Sequence, residues 1–460
     1  MDFTAAIVQA NLVQLNWYDK EPVANLATLI EMNLVGDKWA NIEGALGVYF
    51  TTLETENTYY HFNDLKFLSS KSNTGDTLTF NSDFASARLD GEIDIPNLYQ
   101  SFLAYLAPHF PLIPKVATKH QNFNFDVTVF NSSPLTDLFI PQLHLGDGTH
   151  VTGKFNTKES GLNIAVESSN LGWENWLWRD LHLNSTVTKE LWKIDLLGAK
   201  LDYNLETKFE NIEIDQVGTL GDWRYSLAWT SEDSIKFDGI VKGIANIGTH
   251  ALEFDLEESQ FYFADTLWTL QENSFFNYHT NGNLSSTISL NTSLQSLDLS
   301  YNKNKLTDEL SLAVSGFEFE NINPWLIEAN SSLQGSLSGD IVVKDLSTQP
   351  KISSNSNTTN ILLNNYPLGD LELLIAYDKL ANSQVVSGDV FDGLNKTLDI
   401  SGVYLPQLDT SNFHLDLEVY HFNLKHLESY VNNIFSDFSG TGIGHFNIYG
   451  NLKNPKFDGG

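Results

Sequence analysis

The chain has 460 residues, 42% hydrophobic and 12% aromatic, which is too much apolar surface for a disordered chain. Its 26 Lys and Arg against 58 Asp and Glu give a net charge of −32, which argues against a nucleic-acid partner and against adsorption to an anionic membrane surface. The absence of cysteine rules out disulfides, thiolate metal sites and a thiol nucleophile, and no apolar run is long enough to cross a bilayer as a helix.

The opening stretch "MDFTAAIVQANLVQ" lacks the charged and apolar regions of a signal peptide. Leu98, Phe102, Tyr105 and Leu106 have helical spacing behind Pro96, a first-turn residue, and predict a short helix with one apolar side. From there period-2 alternation dominates and predicts strands. Phe123, Phe125, Val127 and Val129 share a face, as do Leu162, Ile164 and Val166, then Leu201, Tyr203 and Leu205. Trp223, Tyr225, Leu227 and Trp229 follow, then Leu252, Phe254 and Leu256. The pattern continues through Leu310, Leu312 and Val314, through Leu371, Leu373 and Ile375, and through Phe413, Leu415, Leu417 and Val419 to Phe446 and Ile448. Asn, Asp, Ser, Thr and Glu fill the alternate positions, so each strand has one dry and one wet face, as in an antiparallel sheet with a solvated side.

Asp147-Gly148, Gly221-Asp222, Asn281-Gly282 and Ser338-Gly339 read as turns between the strands. Short helical spacings recur around Ile322, Trp325 and Leu326 and around Leu427, Tyr430, Val431 and Ile434, as local packing elements or plugs. The stretch "STQPKISSNSNTTN" at 347–360 reads as the best loop. No Pro-rich or Gly/Ser linker divides the chain, so residues 1–460 read as one continuous β segment rather than a row of closed sandwiches. The abrupt ends suggest a piece of a longer protein.

Two stretches resemble each other at a spacing of 105 residues: "GSLSGDIVVKDLSTQPK" from Gly335 and "GTGIGHFNIYGNLKNPK" from Gly440. Gly335 falls on Gly440, Gly339 on Gly444 and Pro350 on Pro455, while Asp345 stands where the second copy has Gly450. The repeat units span 317–352 and 422–457. These glycines and prolines read as structural turn, strand-end and bulge residues with no chemistry of their own.

Sites for chemistry are sparse. His144, Asp147 and His150 in "HLGDGTH" surround an Asp-Gly that is first a hairpin turn, so no metal is expected. Trp173, Trp176 and Trp178 in "GWENWLWRDLHL" read as a strand face before a sugar platform. No nucleophile elbow, phosphate loop, dinucleotide fingerprint or metalloprotease motif occurs, so neither an enzyme nor a cofactor is expected.

In order and spacing, "LESYVNNIFSDFSGTGIGHFNIYGNLKNPKFDGG", "NNYPLGDLELLIAYD", "LDISGVYLP" and "LTFNSDFASARLDGEIDIP" resemble the TamB family of the AsmA-like group, best over residues 280–460. The resemblance implies a mainly β fold, the β-taco: an elongated antiparallel sheet curled into an open trough, apolar inside and polar outside. It also implies a periplasmic location, an inner-membrane anchor, and transport of phospholipid to the outer membrane with acyl chains against the apolar lining. An outer-membrane barrel partner of the TamA/BamA type is implied with it. Strand templating of outer-membrane proteins and an extracellular glycan-binding solenoid stand as alternatives.

Overall fold

The computed structural model describes residues 2–460 except 19, 38–40, 73–74, 112, 114–118, 134–135, 138–139, 159–160, 205, 232–235, 327–331, 406–407, 409–411, 424–439 and 452–453. The protein is mainly β, with thirty strands among the described residues, and all their pairings given below are antiparallel. It divides into two compact units, residues 1–232 with 244–249 and residues 233–243 with 250–460.

In the first unit β1 (Asp2–Asn11), β2 (Ala24–Val35), β3 (Glu43–Thr55), β4 (Tyr59–Ser72), β5 (Gly75–Ser82), β6 (Ala85–Glu92) and β7 (Asn122–Val129) pair in chain order. The helix α1 (Leu98–Leu106) lies between β6 and β7 in the chain. After β7 come β8 (Leu143–Leu145) and β9 (Thr149–Asn156); β9 joins β7 to β10 (Gly161–Trp173), and β8 lies against the far end of β10. Then β11 (Trp176–Val187), β12 (Trp192–Tyr203), β13 (Glu206–Thr219) and β14 (Asp222–Thr230) continue the meander.

β15 (Gly239–Ile247) has residues in both units; in the second unit its Gly239 and Ile240 pair with β17 (Ser259–Phe263), which pairs with β18 (Thr266–Leu270). β16 (Ala251–Leu256) pairs with β19 (Phe275–His279), and β18 and β19 share β20 (Leu284–Asn291) as their next neighbour. From β20 the order again follows the chain: β21 (Ser296–Lys303), β22 (Asp308–Glu318), β23 (Leu333–Lys344), β24 (Lys351–Leu363) and β25 (Tyr366–Asp378). β26 (Ser383–Asp392), β27 (Asn395–Tyr404), β28 (Phe413–Asn423), β29 (Thr441–Asn451) and β30 (Asn454–Gly459) complete it. A 3₁₀ turn (Phe319–Ile322) and the one-turn helix α2 (Asn323–Leu326) connect β22 to β23.

Directly opposed residues of neighbouring strands share a face, so the register carries each face across a unit. In the first unit one such row runs Leu46, Phe67, Phe80, Ala87, Val127, Val151, Val166, Leu183, Leu196, Ile214 and Leu227. In the second unit a row runs Ile288, Leu299, Leu312, Ile341, Ser354, Ile375, Val386, Gly402, Leu415, Ile448 and Phe457. On the other face the row Asp340, Asn355, Leu374, Ser387, Ser401, Asp416, Asn447 and Asp458 is polar apart from Leu374. Tight turns and bulges interrupt the alternation, and ten of the fourteen non-glycine residues described with positive φ are Asn or Asp, whose short polar side chains tolerate the left-handed region.

Several turn expectations need correction. The supposed loop 347–360 is largely strand: β24 begins at Lys351, and only the segment before it, with Asp345 left-handed and Pro350 at its end, is a turn. Polar side chains on both faces hid this strand, and pairing on both sides supplies its order. Gly335 and Gly339 lie inside β23, so Ser338-Gly339 is no turn; a register break brackets Gly335. Gly440 precedes β29, Gly444 and Gly450 lie within it, and Pro455 is a strand residue opposite Gly450 rather than a turn residue. In the second copy the strands stay paired to Asn451 and Asn454, two residues nearer the turn than Lys344 and Lys351 in the first copy, so the proline falls in the strand that follows.

The two matching glycines do different work. At Gly339, with φ of 149°, an added Cβ would meet the Asn355 carbonyl oxygen at 2.4 Å and the Ser356 Cα at 2.5 Å. At Gly444 the nearest atom would be 3.4 Å away. Gly339→Ala should therefore lower stability by about 1–3 kcal/mol, and Gly444→Ala should cost much less. Heat-denaturation midpoints of the two variants check this, and equal shifts would refute the assignment.

Candidate functional site

The apolar side chains are fully buried in some places and half-exposed in others; in the first unit Ala24, Leu53, Phe62, Phe84 and Ala85 form one buried core, and a second lies under α1. In the first unit α1 lays Leu98, Phe102, Tyr105 and Leu106 onto the sheet. Beneath it Phe123, Phe155, Leu162 and Val187 form one core, with Phe155 only 1% exposed. The Tyr105 ring meets Phe155 edge-on at 5.6 Å, and burial pushes its phenol above the ordinary range. The ends of the helix segment are tied to the sheet by polar bonds. Gln121 donates from Nε2 to the Asp94 carbonyl at 3.1 Å and accepts from the Asp94 N–H at 3.0 Å. His109 donates from Nε2 to the Thr188 carbonyl at 2.6 Å. Beside it Phe110 packs against Trp192 and Trp223, with ring centroids 5.1 and 4.9 Å away.

In the second unit a short turn is tied to the sheet by polar bonds. The Phe319–Ile322 turn brings Asn321 into hydrogen bonds with Gln295 Oε1 at 2.9 Å and Thr266 at 2.8 Å. Near it, Trp268, Leu270 and Val314 are buried, and the Trp268 and Phe317 rings lie 6.2 Å apart.

Away from these cores many of the apolar positions stay partly exposed, although Leu181 and Ile212 are buried. Phe125, Val127, Val129, Ile164 and Val166 continue the sheet from the α1 core, and of these only Val129 is fully buried. Trp223, Tyr225, Leu227 and Trp229 are half-buried, as are Leu252, Phe254 and Leu256, with the rings of Phe254 and Phe276 6.2 Å apart. Leu310 and Leu312, Leu371, Leu373 and Ile375, and Leu415, Leu417, Val419 and Ile448 are half-buried on the common face of the second unit. Phe413 is buried, and Phe446 is 48% exposed. Leu205 and the third helical spacing, at 427–434, lie outside the described residues.

Leu201 and Tyr203 reach this face through an irregularity. Leu201 pairs with Trp178 and Phe209, and Tyr203 pairs with Trp176. The Trp178 ring occupies the space over Gly198, two residues beyond Leu196. Asp180, with φ of 47°, kinks β11 between Leu181 and Trp178, so that residues three apart serve one face.

Sequence reasoning missed a small apolar cavity of about 250 Å³ on the first unit, lined chiefly by Leu34, Ile42, Leu46, Phe67, Leu78 and Ile95. Its signal was available in the alternation of β2 and β3, while the part played by Ile95, just ahead of α1, depends on tertiary packing. It also missed the polar strand in the second face, where Ser354, Ser356 and Thr358 of β24 stand opposite Ile375, Leu373 and Leu371.

The remaining candidates separate. His144 donates to the Glu174 carbonyl at 3.1 Å, while His150 pairs with Asp126 at 3.1 Å. Asp147 sits in the turn between β8 and β9, and no metal-holding group of three His, Asp or Glu occurs among the described residues. No helix of the described residues is long and apolar enough to cross a membrane. No protein-family model, curated protein or solved structure matches the chain.

The sealing role of α1 is testable by truncation. Phe155→Ala, under the helix, should destabilise by about 3–5 kcal/mol. Leu183→Ala, half-exposed on the same face, should cost less than half as much. Urea unfolding of the two variants measures the difference, and the reverse order would show that the helix does not close the face.

Proposed function

We propose that the protein shields lipid acyl chains along its apolar faces and so carries phospholipid through water. The observation behind this reading is the register-linked apolar surface of each unit, most of whose side chains stay partly exposed. A contiguous apolar surface that water can reach marks a binding site. Each methylene buried on it contributes about 0.8 kcal/mol, so one chain gains on the order of 10 kcal/mol. Leu, Ile, Val and Phe offer no fixed hydrogen bond, so a chain moved by one strand exchanges one set of dispersion contacts for a similar one. The cavity beside Ile95 would take part of one chain.

The resemblance to the TamB family adds the periplasmic setting, phospholipid moving between inner and outer membranes, and an outer-membrane barrel as partner. All of these belong to the proposal.

A charge placed on the lining separates binding from mere folding. Ile375→Asp and Leu415→Asp put an unpaired carboxylate on the apolar face, at a cost of several kcal/mol to any chain that covers it. Both variants should retain wild-type circular dichroism and lose most of the phospholipid that copurifies, counted by mass spectrometry. Asp416→Asn, on the polar face, should retain it. Equal lipid in all three would sink the proposal.

A further inference from the structure

The margin of the first unit's apolar face carries a row of exposed aromatic side chains. Trp173 stands opposite Trp176, and Trp176 opposite Tyr203, so the three line up across β10, β11 and β12. They are 54%, 44% and 36% exposed, and the Trp176 and Tyr203 rings lie 4.8 Å apart at 47°. Trp178, two residues from Trp176, lies over Gly198 on the apolar face, so the row continues that face to its edge.

The edge is polar and acidic. Glu174, with φ of 53°, and Asn175 form the two-residue turn between Trp173 and Trp176. The Asn204 N–H donates to the Asn175 carbonyl at 3.0 Å, which sets the end of β12 beside that turn. Glu174 and Asp180 are exposed. The cation of this strand, Arg179, is turned to the buried carboxylate of Asp202.

We propose that Trp173, Trp176 and Tyr203 hold the ammonium end of a zwitterionic lipid head group whose chains lie on the adjoining apolar face. The inference rests on the acyl-chain reading above and adds the class of head group. Aromatic rings with an apolar body and a wet edge belong at the boundary between chain and head. A cation over such rings is attracted by their faces, and the Glu174 carboxylate adds to the attraction. An anionic head would meet Glu174 with Arg179 already engaged. A sugar could stack on the same rings, but a row continuous with an apolar face suits an amphiphile.

The test compares short-chain phosphatidylcholine with phosphatidylglycerol of the same chains, both below their micelle concentrations, on the full chain. Dodecanol serves as a probe without a charged head. The wild type should bind the choline lipid about fivefold more tightly. Trp173→Leu with Trp176→Leu should bring the ratio near one while leaving dodecanol affinity within twofold, and Glu174→Gln should lower the ratio in part. Equal wild-type affinities, or a preference that survives the double substitution, would overturn the proposal and leave the acyl-chain reading standing. Failure of dodecanol and both lipids to bind would overturn both. Binding of a neutral maltooligosaccharide that the double substitution abolishes, with no choline preference, would assign the row to sugar instead. Thermal midpoints within a few degrees of wild type establish that the variants are folded.

Discussion

In an antiparallel ladder a residue's face is inherited by its partner, and every other feature of this protein depends on that constraint. A shift of one position in any strand would turn its apolar side chains to water. The pairs Leu312–Ile341, Ile375–Val386 and Leu415–Ile448 place like with like over long stretches of the second unit. Such pairs each contribute a few tenths to about 1 kcal/mol, and their sum fixes register where the backbone bonds alone would accept several alignments. The polar face contributes by contrast, since Asp416 and Asn447 would both have to be buried by a slip.

A partly exposed apolar face must be stabilised locally or be completed by a guest, and in the proposed reading the protein does both. Under α1 the sheet gains full burial of Phe155, Leu162 and Val187, each worth about 1.5–3 kcal/mol. A few hydrogen bonds at Gln121 and His109 orient that cover, and in the second unit Asn321 of the Phe319–Ile322 turn is bonded to Thr266 and Gln295. Elsewhere the half-exposed leucines and valines receive only part of that stabilisation, and in the proposed reading a lipid chain supplies the remainder. Stability and binding then draw on one surface.

Strand identity and side-chain parity were legible because period 2 survives in single strands such as Phe413–Val419, and α1 was legible from Leu98, Phe102 and Tyr105 behind Pro96. Pairing was not legible, and several features depend on it. β24 has no apolar alternation over "SSNSNTT", so its local signal is that of a loop; its strand character comes from bonds to β23 and β25 on either side. Leu201 lies five residues from Leu196 and simple parity puts them on opposite faces, yet its partner Trp178 covers Gly198 because Asp180 is left-handed. Gly339 and Gly444 match in sequence, but their surroundings differ by what lies across the strand.

The polar strand in the second face bears on how uniform such a lining has to be. Ser354 and Thr358 are buried, although their partners on the flanking strands are Ile341 and Ile375, and Leu337 and Leu371. A hydroxyl is costly in an apolar setting only when unpaired, and Thr358 Oγ1 lies 3.5 Å from the Leu371 carbonyl, within reach of its own sheet. Ser and Thr are also small, so the leucines of β25 can lean over them, and the apolar surface there is set by Leu371, Leu373 and Ile375 more than by the hydroxyls beneath. A strand can therefore be polar on both faces without dividing the apolar surface, provided its side chains are short and its neighbours branched. Lys or Glu at Ser356 would fail on both counts, because a long charged side chain would pass between the leucines into the face. On this argument side-chain length, as much as polarity, decides what an interior strand of such a sheet can carry.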